Sequence, residues 1–399
     1  MAYSPQIKEQ LSPEKTRSNS GRSLTVFIAC SGIGHINRGY ETFASELFHA
    51  LKTESQFDVR LLSGGVNASS ADGIIPCVYR ESSFAKALSF LLRRDTYTIE
   101  QLTFALMMIP TLWRRAPDII IVSDGGLGNF LWHIRQRLKF DYKILFSNGG
   151  PSDPPFLRFD HTHQVLASNY KLATEAGQPD KTQTLVPYGF DLGSSPLPAS
   201  VSEINDLRQG LHLPVDKPIV ISIGAINHSH KRMDYVIREV AKLPKETRPF
   251  LLMLGQRSDE SSEIAECASE LLGPNGFTIR SVSPEQVADY CRASNLFTLA
   301  SLSEGFGRVL IEALSCGLEC LVHDAEFTRE TLKEWGTYGD FSSEGTLTSQ
   351  LKLSLSSAPP WDSEAQRQRC DYAQSHYSWK NLTPHYVDMI YDTCLPASH

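Results

Sequence analysis

No stretch of the 399-residue chain approaches the roughly 20 consecutive apolar residues that cross a bilayer, so no segment reads as a membrane-spanning helix. There is no long run of Lys and Arg to offset a net charge of -7, which argues against nucleic acid as a partner. Metal-site spacing is missing too. Cys316 and Cys320 stand four apart with no second pair and no histidine nearby. His161 and His163, on one side of an extended segment, read as a satisfied surface or cleft pair. The eight cysteines are scattered and mostly in apolar surroundings, the usage of a reducing cytosol. The expectation is a cytoplasmic protein with no bound metal and no cofactor. The opening stretch MAYSPQIKEQLSPEKTRSNSGRS is polar and lacks an apolar core, so residues 1–22 are expected as a disordered tail rather than a signal peptide. No internal repeat is present.

What is present is globular in composition: 41% of residues are hydrophobic and 21% charged, over a length that suits two domains of ordinary size. Short apolar runs alternate with helical stretches. SLTVFIAC (23–30) reads as a strand, SGIGHINRG as a glycine loop and 40–51 as a helix, a strand-turn-helix unit. Further strands are expected at 57–62, 119–123 and 142–146 in the first half, and at 219–224, 249–255, 276–280, 296–300 and 318–323 in the second. Alternation of this kind implies an α/β fold with parallel sheets. Leu192 to Pro218, with four prolines, reads as the crossover between two Rossmann-like domains. The segment 84–115 carries Arg93-Arg94 and Arg114-Arg115 around Met107, Met108 and Trp113, the composition of a domain helix with solvated arginines or of a membrane-surface contact.

The most informative residues are 304–312, EGFGRVLIE, two glutamates with seven residues between them. A buried strand ends near Ala300, a glycine-marked turn follows, and Arg308 to Cys316 is an amphipathic helix. Gly305 and Gly307 let a ligand approach the backbone, and the N–H groups and dipole of the helix start favour a phosphate. A sugar nucleotide fits: Glu304 accepts hydrogen bonds from sugar hydroxyls, the helix start holds the diphosphate, and Glu312 takes ribose hydroxyls. A helix-initial acid followed by a solvated one is the other reading.

EGFGRVLIEALSCGLECLVHD resembles the donor-site segment of retaining glycosyltransferases of family 4, and SGIGHINRG, LVPYGFD and YSWKNLTPHYVDMIYD match further family segments in the same order, over roughly residues 24 to 394. The resemblance implies the GT-B architecture, two facing Rossmann-like domains. It implies an acceptor-binding domain at 23–195, a nucleotide-sugar domain at 196–379, and a C-terminal helix within 380–399 packing back on the first domain. It implies transfer of a hexose from a nucleotide diphosphate sugar, with a UDP-sugar the first expectation and a GDP-sugar the second, to an acceptor that is a small molecule, a glycan or lipid-linked. It leaves the protein either free in the cytoplasm or peripheral to the inner face of a membrane.

On the same resemblance Glu304, Lys231, His35 and Asn148 are the candidate catalytic residues. Gly32, Gly34, Gly224, Arg232, Arg280, Gly305, Phe306, Gly307, Arg308, Val309, Leu310 and Glu312 are the candidate donor-binding residues. Lys231 matches the family lysine on the diphosphate. Three departures stand out. Ala225 follows Gly224 where the family has an arginine, leaving Arg232 or Arg257 to supply that charge; Asn148 stands nearest the family histidine and can donate a hydrogen bond but not act as an acid or base; and Leu318 follows Gly317 where the family usually has a proline. No pair of spaced aspartates of a metal-dependent transferase appears, so transfer is expected to be metal-independent. A sugar-nucleotide epimerase and a non-catalytic sugar-nucleotide binder are the alternatives.

Overall fold

A computed structural model describes residues 23–36, 39–65, 72–150, 152–193, 197–198, 200–356 and 363–394. The expected tail (1–22) lies outside the described residues, as do Asn37 and Arg38 of the glycine loop, the expected domain junction at 195–196, and residues 395–399.

Strands form where β-branched and aromatic residues run together and are buried on both faces, as a parallel sheet covered by helices requires. The first sheet comprises β1 (Leu24–Cys30), β2 (Phe57–Ser63), β3 (Gly73–Ile74), β4 (Ile119–Val122), β5 (Lys143–Asn148), β6 (His161–Gln164) and β7 (Gln183–Leu185), in the order β3-β2-β1-β4-β5-β6-β7. The second comprises β8 (Ile219–Ile223), β9 (Phe250–Leu254), β10 (Phe277–Arg280), β11 (Leu296–Leu299), β12 (Glu319–His323) and β13 (Gly336–Gly339), in the order β10-β9-β8-β11-β12-β13. Every pairing is parallel. The expected α/β architecture of two parallel sheets is therefore the one found. In each sheet the strand order reverses once, between β1 and β4 and between β8 and β11. At such a point the following connections leave in opposite directions and open a crevice beyond the carboxyl ends of the strands.

Four strands have no apolar run to announce them: β3, β6, β7 and β13. The strand β6 reads His-Thr-His-Gln, and all four residues are buried. Its neighbours satisfy both histidines and Gln164, while the Thr162 hydroxyl has no hydrogen-bond partner. His161 Nε2 pairs with Thr184 Oγ1 at 2.8 Å, His163 Nδ1 with Ser147 Oγ at 2.9 Å and His163 Nε2 with the Val186 carbonyl at 2.7 Å. The histidines are thus a buried pair, not the surface or cleft pair expected, and burial pushes both down to about 4. An unfolded histidine titrates near 6.5, so as pH falls the unfolded chain takes up protons first. The stabilisation is complete above about 6.5 and is lost between there and about 4, on the order of 2 kcal/mol per histidine by pH 5. Urea midpoints are expected to fall between pH 7.5 and pH 5, with about half of that fall missing in His161→Gln. An identical fall in the variant would show that other groups carry it.

Two further segments differ from the sequence expectation. The crossover at 192–218 contains a helix, Val201–Gly210, tied to the second domain by buried Arg208, which donates to the Ala293 carbonyl at 2.9 Å and to Asn295 Oδ1 at 2.8 Å. The stretch 84–115 is two helices, Ser83–Leu92 and Thr96–Arg115, because Arg93 adopts a left-handed conformation and Asp95 accepts from the Thr98 N–H to cap the second.

The largest apolar cluster runs through both domains. Tyr188 and Phe190 of the first meet Phe306 of the second, with ring centroids 5.4 and 6.1 Å apart. The helix Trp379–Cys394 packs on the helix Gly39–Lys52 and on β5. Glu330 accepts from the N–H groups of Ala167 and Ser168, capping a first-domain helix whose own N-cap, Leu166, has no side chain for the task.

Candidate functional site

The second-domain crevice opens between the ends of β8 and β11. After β8 the chain turns at Gly224, whose φ of 150° suits glycine, and whose missing Cβ leaves room for a lysine: a Cβ there would lie 2.8 Å from Lys231 Cδ and Cε. Asn227 Oδ1 orders the loop by accepting from the Lys231 N–H at 2.7 Å. Lys231 then reaches across the crevice and pairs with Glu304 in the loop after β11. Both side chains are mostly buried, at 14% and 11% exposure, which keeps water from screening the pair. His230 adds a second basic group, its Nε2 3.2 Å from the Ser303 carbonyl and 3.7 Å from Glu304 Oε2. Sequence reasoning passed over His230, although its place next to Lys231 was a local signal.

Beyond Glu304 the chain is pressed against the first domain. A Cβ on Gly305 would overlap the Gly149 carbonyl and lie 2.8 Å from Gly150 Cα. Gly307, at φ 77°, starts the helix Arg308–Ser315 and brings no capping side chain. Phe306 and Leu310 are buried and Val309 packs against the same apolar cluster, so these three reach a ligand only through their backbone. Glu312, on the inward part of the helix, is half-buried, and burial pushes its carboxyl up. The Arg308 charge opposes that rise and the Glu46 charge adds to it.

Three candidate donor-binding arginines are engaged elsewhere. Arg308 donates to Glu46 Oε1 at 2.8 Å and lies over the Phe190 ring at 4.2 Å, while Glu46 Oε2 accepts from Trp379 Nε1 at 3.1 Å. Its guanidinium joins the domains instead of facing a diphosphate. Arg232 donates to the carbonyls of Phe341 at 2.7 Å and Ala300 at 3.3 Å and stacks on Tyr235. Arg280 ties the edge strand β10 to the carbonyls of Leu211 and His212 and to Tyr290. In each case the fork of donors meets fixed carbonyl or carboxylate oxygens, a use of arginine that side-chain spacing does not reveal. Arg257, in the exposed loop after β9, remains beside the β8 loop through an Ile226–Arg257 bridge.

The first-domain crevice opens between the ends of β1 and β4. The glycine loop follows β1, with Gly34 at φ 93° and the Glu41 carboxylate against Gly32, so a protein anion already sits at that helix start. His35 stacks on Tyr79 at 4.4 Å, and its Nε2 is 3.3 Å from Glu100 Oε2. Glu100 is fully buried and also accepts from Ser31 Oγ at 2.8 Å and from the Arg80 backbone and guanidinium. Burial pushes its carboxyl up, but the hydrogen bonds from His35 and Arg80 outweigh that and hold it well below the usual carboxylate range. Its anion accepts from His35 at Nε2, and Nδ1 has no hydrogen-bond partner. This network of Ser31, His35, Arg80 and Glu100 was invisible in the sequence, because its members are contributed by separate elements up to 69 positions apart. Asp124, at the end of β4, caps the next helix through the Leu127 N–H at 2.9 Å, and burial pushes its carboxyl up. Asn148 differs from expectation: its amide N–H donates to Gln164 Oε1 at 2.8 Å inside the sheet, leaving the carbonyl oxygen, an acceptor, as its free atom. Among the described residues, no three His, Cys, Asp or Glu side chains come together as a metal-holding group.

Residues 203–355 match the family model described as Glycosyl transferases group 1. A D-inositol 3-phosphate glycosyltransferase from Xylanimonas cellulosilytica is 31% identical over 140 residues, 33% of this chain and 33% of that protein. One from Rhodococcus jostii is 27% identical over 184 residues, 42% of this chain and 40% of that protein. The alignments thus span less than half of these relatives. Solved structures match almost end to end. A sucrose-phosphate synthase from Thermosynechococcus elongatus superposes with a TM-score of 0.69 at 17% identity, over 92% of this chain and 98% of the other. Anabaena HepE in complex with UDP and glucose superposes with a TM-score of 0.69 at 13% identity, over 92% and 99%. The chain has the GT-B fold, and its residues 203–355 are similar to glycosyl transferases group 1.

Proposed function

We propose that this protein transfers a hexose from a nucleotide diphosphate sugar, held in the β8/β11 crevice, to an acceptor held in the β1/β4 crevice, with retention of anomeric configuration. The observation that carries the reading is the Lys231–Glu304 pair across a switch-point crevice, one helix start away from half-buried Glu312 and pressed by Gly305 against the first domain. In the reaction the bond from the anomeric carbon to the diphosphate breaks as the bond to an acceptor hydroxyl oxygen forms on the same face. The acceptor proton passes to the departing diphosphate. Charge grows on that diphosphate, so Lys231 and the uncapped N–H groups of Arg308 and Val309 are the stabilising groups, acting where water is partly excluded. Glu304, released by Lys231, accepts from sugar hydroxyls. Glu312 accepts from the ribose; a desolvated carboxylate recovers lost hydrogen bonds when hydroxyls arrive. Arg257 is the cation best placed to stand in for the family arginine replaced by Ala225. No divalent ion is needed in this scheme, and turnover is expected to survive EDTA.

A UDP-sugar is the donor we favour, supported by the likeness to a fold that holds UDP-glucose in Anabaena HepE. The test is a thermal-shift panel of uridine, guanosine and adenosine diphosphate sugars. One base is expected to stand out, because a ligand specific to the folded state stabilises it by about 2.7 kcal/mol at 100 times its dissociation constant. Glu312→Gln is expected to weaken that shift while leaving the apo melting temperature nearly unchanged. No shift with any nucleotide sugar sinks the proposal; a shift without sugar transfer to any acceptor leaves the non-catalytic binder in its place.

A further inference from the structure

The helix Ser83–Leu92 is amphipathic in the wrong sense for a domain helix: its outward face is more apolar than its inward one. Only Ala85 is buried, and Leu88 and Ser89 are half-buried beside it. The opposite face carries Phe84, Ala87, Phe90 and Leu91, spaced as one helical stripe, with Phe90 90% and Leu91 74% exposed. Four large apolar side chains in water on ten residues, Leu92 being the fourth, are not the scattered exposure of an ordinary surface. The adjoining helix adds exposed Leu106, Met107 and Trp113.

Charge says what the stripe fits. Residues 83–94 contain Lys86, Arg93 and Arg94 and no acid, in a protein whose net charge is -7. The next acid, Asp95, is engaged by the Thr98 N–H and hydroxyl as a helix cap. The adjoining helix ends in Arg114 and Arg115. An apolar stripe flanked by cations, on a helix too short to span, has the layout of an element lying in the plane of an anionic bilayer surface. We propose that Ser83–Leu92 docks this protein on anionic lipid, with Phe84, Phe90 and Leu91 inserted among the acyl chains and Lys86, Arg93 and Arg94 at the headgroups. The helix, capped by Ser82, begins three residues after Arg80, which with Tyr79 belongs to the first-domain crevice. Docking therefore brings that crevice to the lipid headgroups. The proposal rests on no reading of the donor site.

The test is flotation of the full chain with vesicles of phosphatidylcholine alone and with added phosphatidylglycerol. Binding is expected only with phosphatidylglycerol. Phe90→Ser/Leu91→Ser should lower it by at least about tenfold, and Arg93→Gln/Arg94→Gln by roughly 25-fold, about fivefold per charge. All four side chains are exposed, so melting temperatures should stay at the wild-type value; a variant that melts early is replaced by Phe84→Ser. Absence of wild-type binding to the anionic vesicles overturns the proposal, as does equal binding by wild type and both variants. Concentration-dependent self-association in light scattering that Phe90→Ser/Leu91→Ser abolishes, without lipid binding, overturns it in favour of a second copy of the chain.

Discussion

Lys231→Met is expected to lower turnover by about 10²- to 10³-fold, the loss seen when one preorganised group that stabilises developing charge is removed. The same change leaves Glu304, at 11% exposure, without its lysine. An unpaired carboxylate in that position destabilises the fold by about 2–3 kcal/mol, somewhat less than for a fully buried pair. The double variant Lys231→Met/Glu304→Gln separates the two effects, since contacting residues couple. Its melting temperature should return toward the wild-type value, because no charge is left unpaired. Its turnover should stay at the floor, because the cation that faces the leaving diphosphate is still absent. Recovery of turnover in the double variant would mean that the pair is a structural bridge only. His230, 3.7 Å from Glu304 Oε2, remains in both variants as a common background.

Gly305→Ala should be nearly as damaging for a different reason. The φ of Gly305 lies outside the left-handed region, so alanine is compatible with the loop backbone itself. What alanine cannot do is fit. Its Cβ would overlap the Gly149 carbonyl, and Gly149 and Gly150 are themselves crowded by the hydroxyls of Tyr188 and Tyr40, which leaves them little room to give way. The domains must therefore part locally, by something on the order of an ångström, and a misplacement of that size typically costs about 10²-fold in rate. The second domain keeps its fold and its Lys231–Glu304 pair, so nucleotide-sugar binding by thermal shift should survive while turnover falls. Wild-type turnover in Gly305→Ala would show that the closed approach of the two domains is not the arrangement in which the reaction occurs.

Local chemistry made much of the fold legible. Apolar runs such as IVISI and FLLML, glycine-marked turns and alternating helices specify two parallel sheets, because strand burial on both faces is written into contiguous residues. The glycine turn and helix at 304–315 were legible for the same reason. The polar strand β6 was not: its two histidines and Gln164 are buried with partners, Ser147, Thr184, Gln183 and the Val186 carbonyl, that all come from other segments.

The same division holds at the candidate site. That Glu304 and Glu312 stand in a loop and inside a helix is local, and the sequence by itself determined it. Which cation meets Glu304, and which arginines are left for a ligand, only the tertiary structure decided. Arg308 sits beside the glutamates in sequence, yet its guanidinium is held by Glu46, 262 positions away, and Lys231 reaches Glu304 across 73. Periodicity and turn residues act through neighbours along the chain. A charged group's partner is settled by which oxygen it meets after the sheets have formed, and burial makes that choice costly to change.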